Sequence, residues 1–187
     1  GASATSTESM LRLAIALVDA LEDGKHFRTI SRFCEDMLAL IENDEQYDKE
    51  TNVLRYEYAR SLRMTSRHAE ARANFDALDE DLLTKQQKQS VQLGIALCFD
   101  MEGDEAGAAD AAKKAIAIDR KTWAALHAQS ILAEQIQDSD ERIAELRKIL
   151  SKAQKDQHHS LVNTINLSLA AERKRRGLSS DDLLKQI

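Results

Sequence analysis

Apolar residues return every three or four positions along most of the chain, the spacing of helices that bury one face. In the first such segment, about Thr7 to Leu21, Met10, Leu13, Leu17 and Leu21 form one stripe, and Thr5 with Glu8 has the spacing of a capping box. The second, about His26 to Ile41, puts Phe27, Ile30, Cys34, Met37, Leu38 and Ile41 on one broad face, and the polar stretch Glu42 to Gln46 closes it. The third and fourth, about Asp48 to Arg63 and Arg67 to Glu80, meet at Met64-Thr65-Ser66. The fifth, about Lys85 to Met101, opens on a second capping-box pair, Thr84 and Gln87, and Gly103-Asp104 turns it into the sixth, about Glu105 to Ile118. The seventh carries Trp123, Leu126 and Ile131, and the eighth Ile143, Leu146, Ile149 and Leu150, with Asp138 and Glu141 as the cap between them. The ninth, about Gln157 to Arg176, has Leu161, Ile165 and Leu169 on one stripe and stops at Gly177. A tenth is expected from Ser179, holding Leu183, Leu184 and Ile187.

A longer period overlies the helical one. Ala59, Leu62, Ser66, Ala71, Phe75 and Leu78 recur 37 residues on as Ala96, Phe99, Gly103, Ala108, Ala112 and Ala115. Two helices and a tight turn repeated at this interval predict stacked hairpins, each burying its apolar face on its neighbours. Every connection needed is short, about two to seven residues, which forces consecutive helices antiparallel. The expected architecture is all-α, roughly five antiparallel hairpins in a single repeat domain over residues 1–187. Residues 48–118 are the best-matched copies, and 5–45 and 156–187 form atypical end hairpins that cover the exposed ends of the core.

Composition agrees with this pattern. The chain has 187 residues and no proline, against roughly nine expected at average usage, so little interrupts helix interiors. Aromatic residues are 4% of the chain, which leaves small and aliphatic side chains to build a core between closely spaced helices. The net charge of −6 argues against a general nucleic-acid binder, which needs a basic surface to meet phosphate. No apolar run has the length of a membrane span and no secretory leader opens the chain, so a cytoplasmic setting is expected, without nucleic-acid or membrane partners. Gly1-Ala2-Ser3 has the look of a cloning remnant, which leaves both a whole protein and a fragment of a larger one open. Cys34 and Cys98 each sit among apolar neighbours and read as buried thiols.

The two central hairpins resemble tetratricopeptide repeats. Ala59, Leu62 and Ala71 in one copy, and Ala96, Phe99, Gly103, Ala108 and Ala115 in the next, match the family's alternation of small residues at helix crossings with large ones that fill the adjoining space. Phe75 fills the large position on the second helix, whereas Ala112 stands where a larger residue is common, Ser66 replaces the turn glycine and Arg120 the closing proline. An unrelated helical bundle is the alternative. The resemblance implies a right-handed superhelix that binds ligands on its concave surface, lined by the first helix of each hairpin. Carried to the matched copies, it nominates Tyr56, Arg60, Arg63 and Met64 from one and Leu93, Leu97, Asp100 and Met101 from the other. Arg60 and Arg63, three apart, share a helix face: either they grip a carboxylate or phosphate on a partner, or they pair with Glu57 and neighbouring acids. The Lys and Asn set with which some members of that family clamp chaperone tails is missing.

Catalytic and metal patterns are weak. Asp100, Glu102 and Asp104 alternate as in a calcium loop, but Glu105 and Ala111 stand where such a loop needs glycine and a bidentate acid, so the acids read as a capped helix end. His158 and His159 are adjacent and point apart on a helix. Arg63 with His68, and Arg120 with His127, have a spacing seen in small helical ribonucleases, which reads as chance, and His26 reads as a turn residue. Arg173-Lys174-Arg175-Arg176 reads as a basic helix end facing its own dipole. The expectation is therefore a non-enzymatic protein–protein interaction module that needs no cofactor or metal and binds a peptide or helix in its concave groove. The alternatives are a sensor or regulatory region of a larger enzyme and a secretion-type chaperone. Self-association through an uncapped end hairpin is a further expectation.

Overall fold

A computed structural model describes residues 2–23 and 25–177. Among them are nine α-helices and no strand: α1 (Ala2–Asp23), α2 (Phe27–Ile41), α3 (Asp48–Met64), α4 (His68–Asp76), α5 (Lys85–Glu102), α6 (Glu105–Ile118), α7 (Trp123–Glu134), α8 (Ser139–Lys155) and α9 (His159–Arg175). The tenth helix expected from Ser179 lies outside the described residues. No helix among them is long and apolar enough to cross a membrane.

The ends of the helices follow from local chemistry. Thr84 and Gln87 form the reciprocal capping box of α5: the Gln87 amide donates to the Thr84 hydroxyl at 3.2 Å, and the Thr84 amide donates to the Gln87 side chain at 3.0 Å. Asp104, Thr122 and Asp138 accept from the amides of Gly107, Ala125 and Glu141, capping α6, α7 and α8. Gly103 ends α5 at φ 77°, in the left-handed region where a side chain is disfavoured. Ser66 holds the equivalent turn at φ 64°, so the glycine missing from the earlier copy has not changed the backbone there.

Three expectations need correction. Helix α1 begins at Ala2, so Thr5 lies inside it and does not cap it. Its buried face is Leu11, Ala14 and Val18, while Met10, Leu13 and Leu17, the expected core stripe, are exposed, Leu13 by 70%. Helix α4 stops at Asp76, a turn early, and a 3-10 turn at Glu80–Leu82 carries the chain toward α5.

Each helix packs on the next in sequence, and α1, α3, α5, α7 and α9 also touch one another in that order, which sets them side by side. The core runs between the rows as three clusters. The first, from α1 to α5, is built of large side chains such as Leu54, Leu62 and Phe75. The second is mostly alanine, Ala96, Ala108, Ala111, Ala112, Ala115, Ala124 and Ala128, whose methyl groups let α5, α6 and α7 approach closely. The third joins α7, α8 and α9 through Leu146, Ile149, Leu161 and Ile165. Gly94 is required by contact: a Cβ there would meet the Phe75 ring at 2.8 Å.

Two buried amides tie the hairpins together. Gln89 of α5 donates from Nε2 to the carbonyls of Ala115, at 2.8 Å, and Asp119, at 2.6 Å, and its Oε1 accepts from the Thr122 hydroxyl at 2.8 Å. Asn52, 37 residues earlier on α3, brackets Asp79 in the same way, donating to its carbonyl at 3.2 Å and accepting from its amide at 2.8 Å.

Candidate functional site

The side-by-side row of α3, α5, α7 and α9 places side chains of equivalent position in register. Tyr56, Arg60 and Arg63 on α3 stand 37 residues before Leu93, Leu97 and Asp100 on α5. Those in turn stand 34 residues before His127, Ile131 and Glu134 on α7, the same interval that separates the Asp104 and Asp138 caps. A cleft of about 310 Å³ opens along this row. Leu97 and Asp100 form its α5 wall, His127, Ser130, Ile131 and Glu134 its floor on α7, and Thr164, Ser168, Ala171 and Arg175 the α9 wall.

The eight residues nominated from the sequence are therefore divided. Leu97 and Asp100 line the cleft. Tyr56 and Leu93 are buried in the core and offer no surface to a ligand. Met64 lies at the edge, in a separate hollow with Lys25, His26 and Arg28 beside the α1–α2 turn, and Met101 projects from the end of α5 with 67% of its surface exposed. Arg60 donates to Glu57 at 2.9 Å and lies over the Tyr56 ring, 5.5 Å from its centroid, so it already has an anion on its own helix.

Arg63 differs from Arg60. It is half-buried and, among the described residues, forms no ion pair and no side-chain hydrogen bond. Burial pulls its pKa down and the Arg60 charge adds to this, while Cys98 and Tyr56 act in the opposite direction. Its charge reaches His127 on α7, whose pKa is lowered to about 4, first by burial and then by Arg63. The imidazole is thus neutral at neutral pH. It rests against the indole of Trp123 with ring centroids 6.1 Å apart, and Trp123 in turn faces His158 at 6.4 Å. Trp123, read from the sequence as a core residue, is 46% exposed at the rim of a second cleft of about 440 Å³ with Lys85, Ser90 and Asp119.

On the α5 and α7 walls the charge is negative. Asp100 is pushed above the usual carboxylate range by burial, then by Glu134 and Glu105. Neither Asp100 nor Glu134 has a Lys or Arg within ion-pair distance among the described residues, and no ion pair joins Asp100 to Arg63. Arg175 on the α9 wall is already paired with Glu172 at 3.3 Å.

The remaining chemical candidates have structural occupations. Glu102 pairs with Arg72 at 2.8 Å, and Asp104 caps α6. Within the basic run at the end of α9, Arg175 pairs with Glu172, and Arg176 reaches Asp140 at 2.7 Å. Cys34 and Cys98 are buried free thiols, raised to about 12 and about 11, mainly by burial. Among the described residues no group of three or more His, Cys, Asp or Glu is placed to hold a metal ion. The sequence spacings Arg63–His68 and Arg120–His127 read as chance, and in the fold it is the Arg63 charge that acts on His127. No protein-family model, no curated protein and no solved structure matches the chain.

Proposed function

We propose that this chain is a non-enzymatic interaction module, a tetratricopeptide-like stack of helical hairpins whose groove across α3, α5, α7 and α9 holds a peptide or helix of a protein partner. The observation that carries this reading is the cleft itself. It spans α5, α7 and α9, with apolar Leu97 and Ala171 beside polar Thr164 and Ser168, over a floor that includes the buried Ser130 and Ile131. Such a surface supplies apolar area for affinity and a few polar groups for orientation, as helix-in-groove recognition requires. Intervals of 37 and 34 residues, with a small residue at the crossings Ala59 and Ala96, support the family resemblance.

The test is to pan a random-peptide display library on the protein and measure the selected peptides on two cleft variants, Leu97→Glu and Ala171→Glu. Binding should fall at least tenfold on both while circular dichroism shows unchanged helicity. Peptides that bind both variants as tightly as the parent place the binding surface elsewhere.

A further inference from the structure

Most of the partly buried arginines in this fold are given an anion. Arg60 has Glu57, Arg72 has Glu102 and Arg142 has Glu172, at 2.7–2.9 Å. Arg63 is half-buried in the same way and has none among the described residues. A guanidinium that has lost water without gaining a carboxylate is a poor arrangement for a free protein. It is a good one for a site that a charged group completes on binding, because part of the cost of desolvating the planar fork has already been met. Across the row the opposite case occurs. Asp100 and Glu134 occupy equivalent positions on α5 and α7 and face one cleft, and among the described residues neither has a cation within ion-pair distance, Arg175 across the cleft being paired with Glu172. The two unbalanced features do not neutralise each other.

We propose that the segment bound in this groove presents a carboxylate side chain to Arg63 and a basic side chain to the Asp100–Glu134 pair. The proposal rests on the groove reading above and adds the partner's charge pattern to it. A phosphate in place of the carboxylate is disfavoured, because a second negative charge would be brought toward Asp100 and Glu134 in a chain of net charge −6. His127, neutral at neutral pH, lines the cleft and offers the carboxylate a neutral hydrogen-bond donor rather than a second charge. The pattern also sets the direction of the bound segment, since reversing it would put acid against acid and base against base.

The experiment pans one random-peptide display library in parallel on the parent protein and on Arg63→Glu, with Arg63→Leu as a second variant in case the charge reversal unfolds the chain. Parent-selected peptides should share an acidic residue at one position and a Lys or Arg at another. Changing that acid to its amide should cost about tenfold on the parent and nothing on Arg63→Leu, a coupling that a merely structural Arg63 would not produce. Selection on Arg63→Glu should exchange the acid for a basic residue and leave the other position unchanged. Peptides that lose affinity on Leu97→Glu, and so lie in the groove, but show no acid preference and no coupling to Arg63 overturn this inference and leave the groove reading standing. Peptides indifferent to Leu97→Glu, or no enrichment at all, overturn both.

Discussion

Replacing Gln89 with Leu removes a buried amide that serves two helices at once. The side chain is 2% exposed. Its Nε2 satisfies the Ala115 carbonyl, in the last turn of α6 where helical partners run out, and the Asp119 carbonyl beyond it. Its Oε1 takes the proton of the Thr122 hydroxyl, which in turn accepts from the Ala125 amide as the cap of α7. Gln89→Leu deletes three hydrogen bonds and leaves their partners shielded from water. At about 1 kcal/mol for each, the loss is about 3 kcal/mol. In urea, with a slope of about 2 kcal/mol per molar, the midpoint followed by circular dichroism should fall by about 1.5 M. Gln89→Glu should be at least as damaging at neutral pH, because a carboxylate has no proton for the two carbonyls, and should recover in part once acid protonates it. Asn52→Leu, which removes two bonds rather than three, should act in the same direction and less. A Gln89→Leu midpoint within about 0.2 M of the parent would refute the claim that this amide holds α5, α6 and α7 in register.

Three further outcomes follow from contacts and charges. Gly94→Ala should destabilise by about 1–3 kcal/mol through collision with Phe75, and Phe75→Leu in the same chain should recover part of the loss, as denaturation of the double variant can show. His127 is neutral in the fold down to about pH 4 but protonates near 6.5 when unfolded. Lowering the pH through that window therefore favours the unfolded chain, by about 3 kcal/mol on full conversion and nearer 2 for a half-buried ring. His127→Phe should flatten the pH dependence of the urea midpoint between these values. Glu172 is held below the usual carboxylate range, first by the Ser139 hydroxyl and also by Arg142, Arg175 and Arg176. Its contribution is complete above the unfolded carboxylate pKa and is lost as the pH falls through the lower folded value, so Glu172→Gln should flatten the acid limb of the stability curve.

What the sequence made legible depended on whether the signal was local. The ends of α5 and α6 were readable because Thr84, Gln87, Gly103 and Asp104 act within a few residues of themselves. The buried face of α1 was misread because two stripes of helical period share that segment. Size favours Met10, Leu13 and Leu17, but the smaller Leu11, Ala14 and Val18 meet α2 and α3, and only the position of those helices decides between them. On the site, Leu97 and Asp100 were reached from the 37-residue register, while His127 and Glu134 were missed because the interval shortens to 34 in the next copy. The Asp104 and Asp138 caps carried that signal. That Arg60 takes Glu57 follows from their i,i+3 spacing, but that no acid of another helix reaches Arg63 was beyond the sequence, since only the packing of the helices decides it.

The unequal treatment of these two arginines yields a stability prediction opposite to the usual one. Removing a charged side chain that is paired in the fold strands its partner and destabilises. Arg60→Leu should therefore be neutral or destabilising, because Glu57 loses its 2.9 Å contact. Arg63 strands nothing when it is removed, since no acid among the described residues depends on it. Replacing it with Leu exchanges a half-desolvated charge, repelled by Arg60, for apolar surface beside Tyr56 and Cys98. The free protein should become more stable, by about 1 kcal/mol in urea denaturation, while peptide binding is lost. A residue retained for folding would give the reverse pattern, lower stability with affinity intact. If Arg63→Leu lowers the urea midpoint, the guanidinium has a structural role in the free chain and the case for its meeting a partner's carboxylate fails.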